Sequence, residues 1–149
     1  MIAKFIRGIK MGKYLINEII VDGYERFAVV QNNKREEQLC VHFLEYDEFI
    51  EHQRGTRKKK VGDVLDGKLS IQLVSSSKKV DEAFSYNQKI AKSSHIEAVV
   101  EVVQVIAADS VHVLSSIVPE WILVEFENEV DYKVGDRIRV VGSLEINLE

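Results

Sequence analysis

One cysteine, Cys40, occurs in 149 residues, which excludes an internal disulfide and leaves the redox compartment open. No apolar run approaches the roughly 20 residues needed to cross a bilayer as a helix. The amino-terminal stretch MIAKFIRGIKMGK is too basic and too interrupted for the apolar segment of a signal peptide, so a cytoplasmic protein is expected. No glycine-rich phosphate loop is present. Cys40 and His42 would share one face of a strand, yet no second pair stands at ligand spacing, so no metal site is expected. Asp109, His112 and Ser115 have the residue types of a hydrolase triad, but they fall within one expected hairpin and lack a nucleophile elbow. These absences argue against an enzyme, and no cofactor is expected.

Positive charge is scarce in one part of the chain. The formal net charge is −4, with hydrophobic residues at 46% and charged residues at 30%, an ordinary globular composition. Residues 1–92 carry 17 Lys and Arg against 13 Asp and Glu, whereas residues 93–149 carry 3 against 11. A half so acidic repels phosphate backbones and attracts basic partners, with an effect on encounter rate as much as on affinity.

Comparing the chain with itself reveals three anchors that recur in the same order. LCVHF around Val41 matches ILVEF around Val124, both alternating like strands with one buried side. KVGD recurs at 60–63 and 133–136, where glycine and aspartate suit a turn. A GxLxIxL run then follows as Gly67, Leu69, Ile71, Leu73 and as Gly142, Leu144, Ile146, Leu148. Glycine inside such a strand predicts a bulge or a sharp bend. Phe43 precedes Val61 by 18 residues but Phe126 precedes Val134 by 8, so the first copy holds an insertion of 10 residues within the stretch DEFIEHQRGTRKKK.

Two further strands are expected in each copy, over 13–21 and 26–31 around an Asp22-Gly23 turn, and over 96–107 and 111–118. Between the copies, residues 81–92 place Ala83, Phe84, Ile90 and Ala91 on one helical face with Asp81 as N-cap, which slightly favours a short helix over an extra strand. The expected fold is mainly β: a first unit over 1–79 and a connector plus second unit over 80–149.

The stretch EWILVEFENEVDYKVGDRIRVVGSL, residues 120–144, resembles the third and fourth strands of bacterial single-stranded-DNA-binding proteins, through Trp121, Val124, Phe126, Gly135, Val140, Gly142 and Leu144. The resemblance implies two tandem small barrels of the oligonucleotide/oligosaccharide-binding (OB) kind, with residues 1–9 and 83–92 available as fifth strands. The groove of that family is basic, whereas the matching positions here are mostly acidic.

Two surfaces therefore invite a partner. Trp121 and Leu123 should share the outer face of their strand with Glu125 and Glu127, followed by Glu129 and Asp131. An outward aromatic beside carboxylates fits an interface with a basic protein, of the inhibitor or immunity-protein type. The insertion concentrates Arg54, Arg57, Lys58, Lys59 and Lys60, with Tyr46 and Phe49 close enough to stack. That combination fits single-stranded nucleic acid. A structural or assembly subunit is a third reading.

Overall fold

The protein is described from a computed structural model that places residues 12–32, 37–46 and 58–148. Nine strands follow one another: β1 Gly12–Asp22, β2 Glu25–Asn32, β3 Gln38–Leu44, β4 Val64–Lys79, β5 Ser85–Asn87, β6 His95–Ala107, β7 Ser110–Leu114, β8 Ile122–Phe126 and β9 Arg137–Leu148. All belong to one sheet in the order β1-β2-β3-β9-β4-β8-β7-β6-β5.

Two extra pairings, β1 with β4 and β6 with β9, close this sheet on itself. One circuit runs β1–β2–β3–β9–β4 and back to β1, and the other runs β4–β8–β7–β6–β9 and back to β4. Both use β4 and β9, the long strands of 16 and 12 residues. Their length lets each serve different neighbours in succession: β4 pairs with β1 over Val64 to Gly67 and with β8 from Ser70 to Val74. Strand β9 pairs with β6 from Arg137 to Ser143 and meets β3 at Glu145. The fifth strand of each circuit thus comes from the other half of the chain, not from residues 83–92. Residues 1–9 lie outside the described residues.

The repeated GxLxIxL runs pair with each other. Gly67 stands opposite Leu148, Leu69 opposite Ile146 and Ile71 opposite Leu144. The register is regular from Gly67 to Gln72 and shifts between Gln72 and Ser76, away from Gly67 but directly across from Gly142, which stands between the paired Val141 and Ser143. The glycines also permit close approach. A Cβ on Gly67 would lie 2.5 Å from the carbonyl oxygen of Asn147, and one on Gly142 would lie 2.6 Å from that of Gln72.

The two KVGD turns share their hydrogen bonds. In each, an aspartate oxygen accepts from the backbone N–H of the lysine, at 3.0 Å for Asp63 and 2.8 Å for Asp136. Gly62 and Gly135 adopt φ of 94° and 96°, a region glycine enters without steric cost. Their amides donate to Ile16 and Val102, at 2.9 and 2.8 Å.

A single core fills both circuits. Leu39, Val41 and Phe43 are buried in it, as are Ile122, Val124 and Phe126. Alternation thus selects the buried face in both strands.

The helix expected over 81–92 does not form, and the described residues contain none. Ala83, Ile90 and Ala91 are exposed. The residues that gain contacts are two apart. Phe84 lies under the Arg137 guanidinium, 4.6 Å from ring centroid to carbon, and Tyr86 packs on the core. Gln88 accepts from the Cys40 amide at 2.9 Å and donates to the Cys40 carbonyl at 2.8 Å. Period-two contacts demand an extended chain.

Candidate functional site

The outer face of β8 is built by the same alternation that fills the core. Ile122, Val124 and Phe126 point inward, which turns Trp121, Leu123 and Glu125 outward. Past the strand, Val130 and Tyr132 pack against the core, and the Tyr132 hydroxyl lies 2.8 Å from that of Ser77. These anchors leave Glu127, Glu129 and Asp131 exposed on the intervening positions.

Trp121 and Leu123 are half-buried. The Trp121 ring leans on His112 of β7, with centroids 6.1 Å apart. Burial of His112 lowers its pKa, which favours the neutral imidazole at physiological pH. Its Nδ1 lies 3.2 Å from Oε1 of Gln104.

Charge on this half is unevenly compensated. Arg139 donates to Glu97 at 2.9 Å and pairs with Glu82, and Arg137 donates to Glu101 at 3.0 Å. The Arg139 hydrogen bond, aided by Lys89, holds the Glu97 carboxyl below its ordinary range. Asp136 is likewise lowered, first by the Lys133 amide and then by Lys79. Among the described residues no cation pairs with Glu125, Glu127, Glu129 or Asp131. Uncompensated negative charge therefore collects along one ridge.

The described residues that flank the basic insertion, Glu45 and Lys59, are bonded to one another and to β2. Arg26 is fully buried and its Nε donates to Glu45 at 2.9 Å. The other Glu45 oxygen accepts from the Lys59 amide at 3.0 Å, and Glu45 N–H donates to the Tyr24 carbonyl at 2.9 Å. One carboxylate thus ties both ends of the insertion to the β1–β2 hairpin. Arg54, Arg57 and Phe49 lie outside the described residues. Lys58 and Lys60 are exposed and Lys59 is half-buried. Tyr46 meets Tyr24 with ring centroids 5.0 Å apart, both rings exposed.

Sequence reasoning missed Tyr24, because only the folded hairpin brings residue 24 beside residue 46. It weighed His42 only as a metal ligand and missed its carboxylate neighbours: Nδ1 lies 2.6 Å from Glu145 and Nε2 lies 3.1 Å from Glu25. Ser143 donates to the same Glu145 at 2.5 Å, and Phe27 packs on the His42 ring at 5.0 Å. Register links these residues to the β8 face. His112, Leu123, Ser70, Glu145, His42 and Phe27 are successive cross-strand neighbours.

The described residues contain no group of three or more His, Cys, Asp and Glu able to hold a metal ion. No described helix is long and apolar enough to cross a membrane. No family model, curated protein or solved structure matches the chain.

Proposed function

We propose that this chain is a non-catalytic binding protein, built from two OB-like units, that engages a basic protein through its acidic ridge. The observation that carries the reading is the ridge itself: Glu125, Glu127, Glu129 and Asp131 stand exposed with no cationic partner among the described residues, while Arg137 and Arg139 are engaged with Glu82, Glu97 and Glu101. A row of like charges on one surface raises the encounter rate with a cationic surface and disfavours anionic ones. The half-buried Trp121 and Leu123 add apolar area beside the ridge, where aromatic anchors contribute most. An inhibitor or immunity protein for a cationic toxin would have these properties. The OB-like reading draws on the matched KVGD turns and the five-strand circuits.

The test is affinity capture from the source cell at moderate salt. Wild-type protein should retain a stoichiometric basic partner, and the combined Glu125→Gln, Glu127→Gln, Glu129→Gln, Asp131→Asn variant should associate about tenfold or more slowly. Recovery of no basic partner would sink the proposal.

One observation favours a second reading, single-stranded nucleic-acid binding by the first half. Tyr24 and Tyr46 form an exposed aromatic pair, the Lys59 amide bonds to Glu45 next to Tyr46, and base stacking on such rings contributes about 1–3 kcal/mol per base. Fluorescence anisotropy with a labelled oligonucleotide at low salt should then show affinity lost in Tyr24→Ala and Tyr46→Ala. A flat titration would remove this reading.

A further inference from the structure

Strands β3 and β9 run parallel but share one register position, His42 with Glu145. On either side of that position the two strands part, and the two openings differ. Toward the start of β3, the opening is filled by the connector. The Gln88 side-chain amide donates to and accepts from the Cys40 backbone, and the Leu144 N–H donates to the Ser94 carbonyl at 2.8 Å. A carboxamide here takes the place of a strand.

Toward the end of β3 the opening is a cleft of about 430 Å³, lined by Phe43, Leu44, Ile146, Asn147 and Leu148 with His42, Gln72 and Glu145 at its base and side. The direction of the main-chain groups follows from their neighbours. Cys40 bonds to Gln88 while Glu45 bonds back to Tyr24 of the hairpin. Backbone groups alternate along a strand, so Leu44, like Cys40, points its N–H and C=O away from β2 and into the cleft. The same alternation from Leu144 points Ile146 and Leu148 away from β4 and toward β3. No register position joins Leu44 to Leu148. The parallel bridge at His42 takes the Leu144 carbonyl and the Ile146 N–H; beyond it Leu44, the Ile146 carbonyl and Leu148 face one another with no ladder among the described residues, a template for another backbone.

We infer that this cleft binds an extended peptide segment carrying a basic side chain. The segment's amides and carbonyls would bond to Leu44 on one wall and to the Ile146 carbonyl and Leu148 on the other, as Gln88 does with Cys40 at the opposite opening. Glu145, with lone pairs beyond those used by His42 and Ser143, receives the cation, and Leu44, on the His42 face of β3, flanks its aliphatic stem. The inference rests on the protein-binding reading and adds where the basic partner would insert a segment.

The probe is an acetylated, amidated hexapeptide of alternating lysine and valine, titrated into isotope-labelled full-length protein and followed by amide NMR. The resonances of Leu44, Ile146 and Leu148 should shift saturably. Glu145→Gln should weaken binding about tenfold, the size of one charge-assisted hydrogen bond. Asn147→Trp, a change on an exposed wall that leaves the His42 bridge intact, should abolish it. A peptide methylated on its backbone nitrogens should not bind. Unshifted resonances at millimolar peptide would overturn the inference, as would equal binding by Asn147→Trp or by the methylated peptide. If the peptide fails while the ridge still captures a basic partner, only this inference falls. If the peptide binds while the ridge captures nothing, the ridge reading falls alone.

Discussion

Gly67 and Gly142 occupy reciprocal places, each leaving room for the backbone of the strand that carries the other. Gly67 of β4 lies against the Asn147 carbonyl of β9, and Gly142 of β9 lies against the Gln72 carbonyl of β4. The obstacle at each is backbone, which cannot swing aside as a flexible side chain would. Alanine at either position should destabilise the fold by about 1–3 kcal/mol, the usual cost of overpacking. Urea denaturation of Gly67→Ala and Gly142→Ala checks this, and wild-type stability in both would refute it.

Removing Arg26 should cost more. Its guanidinium is fully buried, bonds Glu45 at 2.9 Å and reaches the Gly23 carbonyl at 2.8 Å. Arg26→Ala strands the Glu45 carboxylate in the interior, and breaking such a pair costs about 3–5 kcal/mol. The same variant should speed proteolysis near residues 45 and 59, since Glu45 ties both to the hairpin. An unchanged urea midpoint and cleavage pattern would contradict it.

Alkali should weaken the fold through Tyr14 and Cys40. Burial pushes the Tyr14 hydroxyl up from 10.0 to about 12, with Glu120 adding to the shift. It pushes the Cys40 thiol from 9.0 to about 11, with Glu18 adding. In both, the unfolded chain releases its proton at lower pH than the folded one, so the unfolded state gains as pH rises. Stability contributed by these groups is complete below pH 9 and declines from there to about pH 12. Tyr14→Phe and Cys40→Ala should each flatten that decline in a plot of urea midpoint against pH.

Leu73 should tolerate what its neighbours do not. It has φ of 56° and is 66% exposed at the β4 irregularity, so its side chain gains little while its backbone carries left-handed strain. Leu73→Gly should change stability by no more than about 0.5 kcal/mol, because relieved strain offsets lost chain entropy. Leu69→Ala, in the core, should cost about 2–5 kcal/mol. A large loss at Leu73 would show that its side chain has a partner in solution.

Short-range chemistry was legible in the sequence. The buried faces around Val41 and Val124 follow from alternation, and both KVGD turns from glycine at positive φ with aspartate capping the lysine amide. The connector was misread because Phe84, Ile90 and Ala91 satisfy helical spacing, whereas Phe84, Tyr86 and Gln88 find partners only in an extended chain. Pairing across long separations was not legible. The exchange of β4 and β9 between circuits depends on the register of Gly67 with Leu148, and the His42 bridge joins residues 103 apart. Of the surfaces, the acidic ridge could be read from the β8 pattern, while Tyr24 and the β3–β9 cleft emerge only from tertiary placement.

The sharing of β9 sets an order on biosynthesis. Strands β1, β2 and β3 are synthesised first, yet the contact that closes their circuit is Glu145 against His42. A nascent chain therefore exposes the open edge of β3 until residues beyond 145 have left the ribosome. During that interval β3 is open to strands of other chains, so truncated products should aggregate more readily than full-length ones.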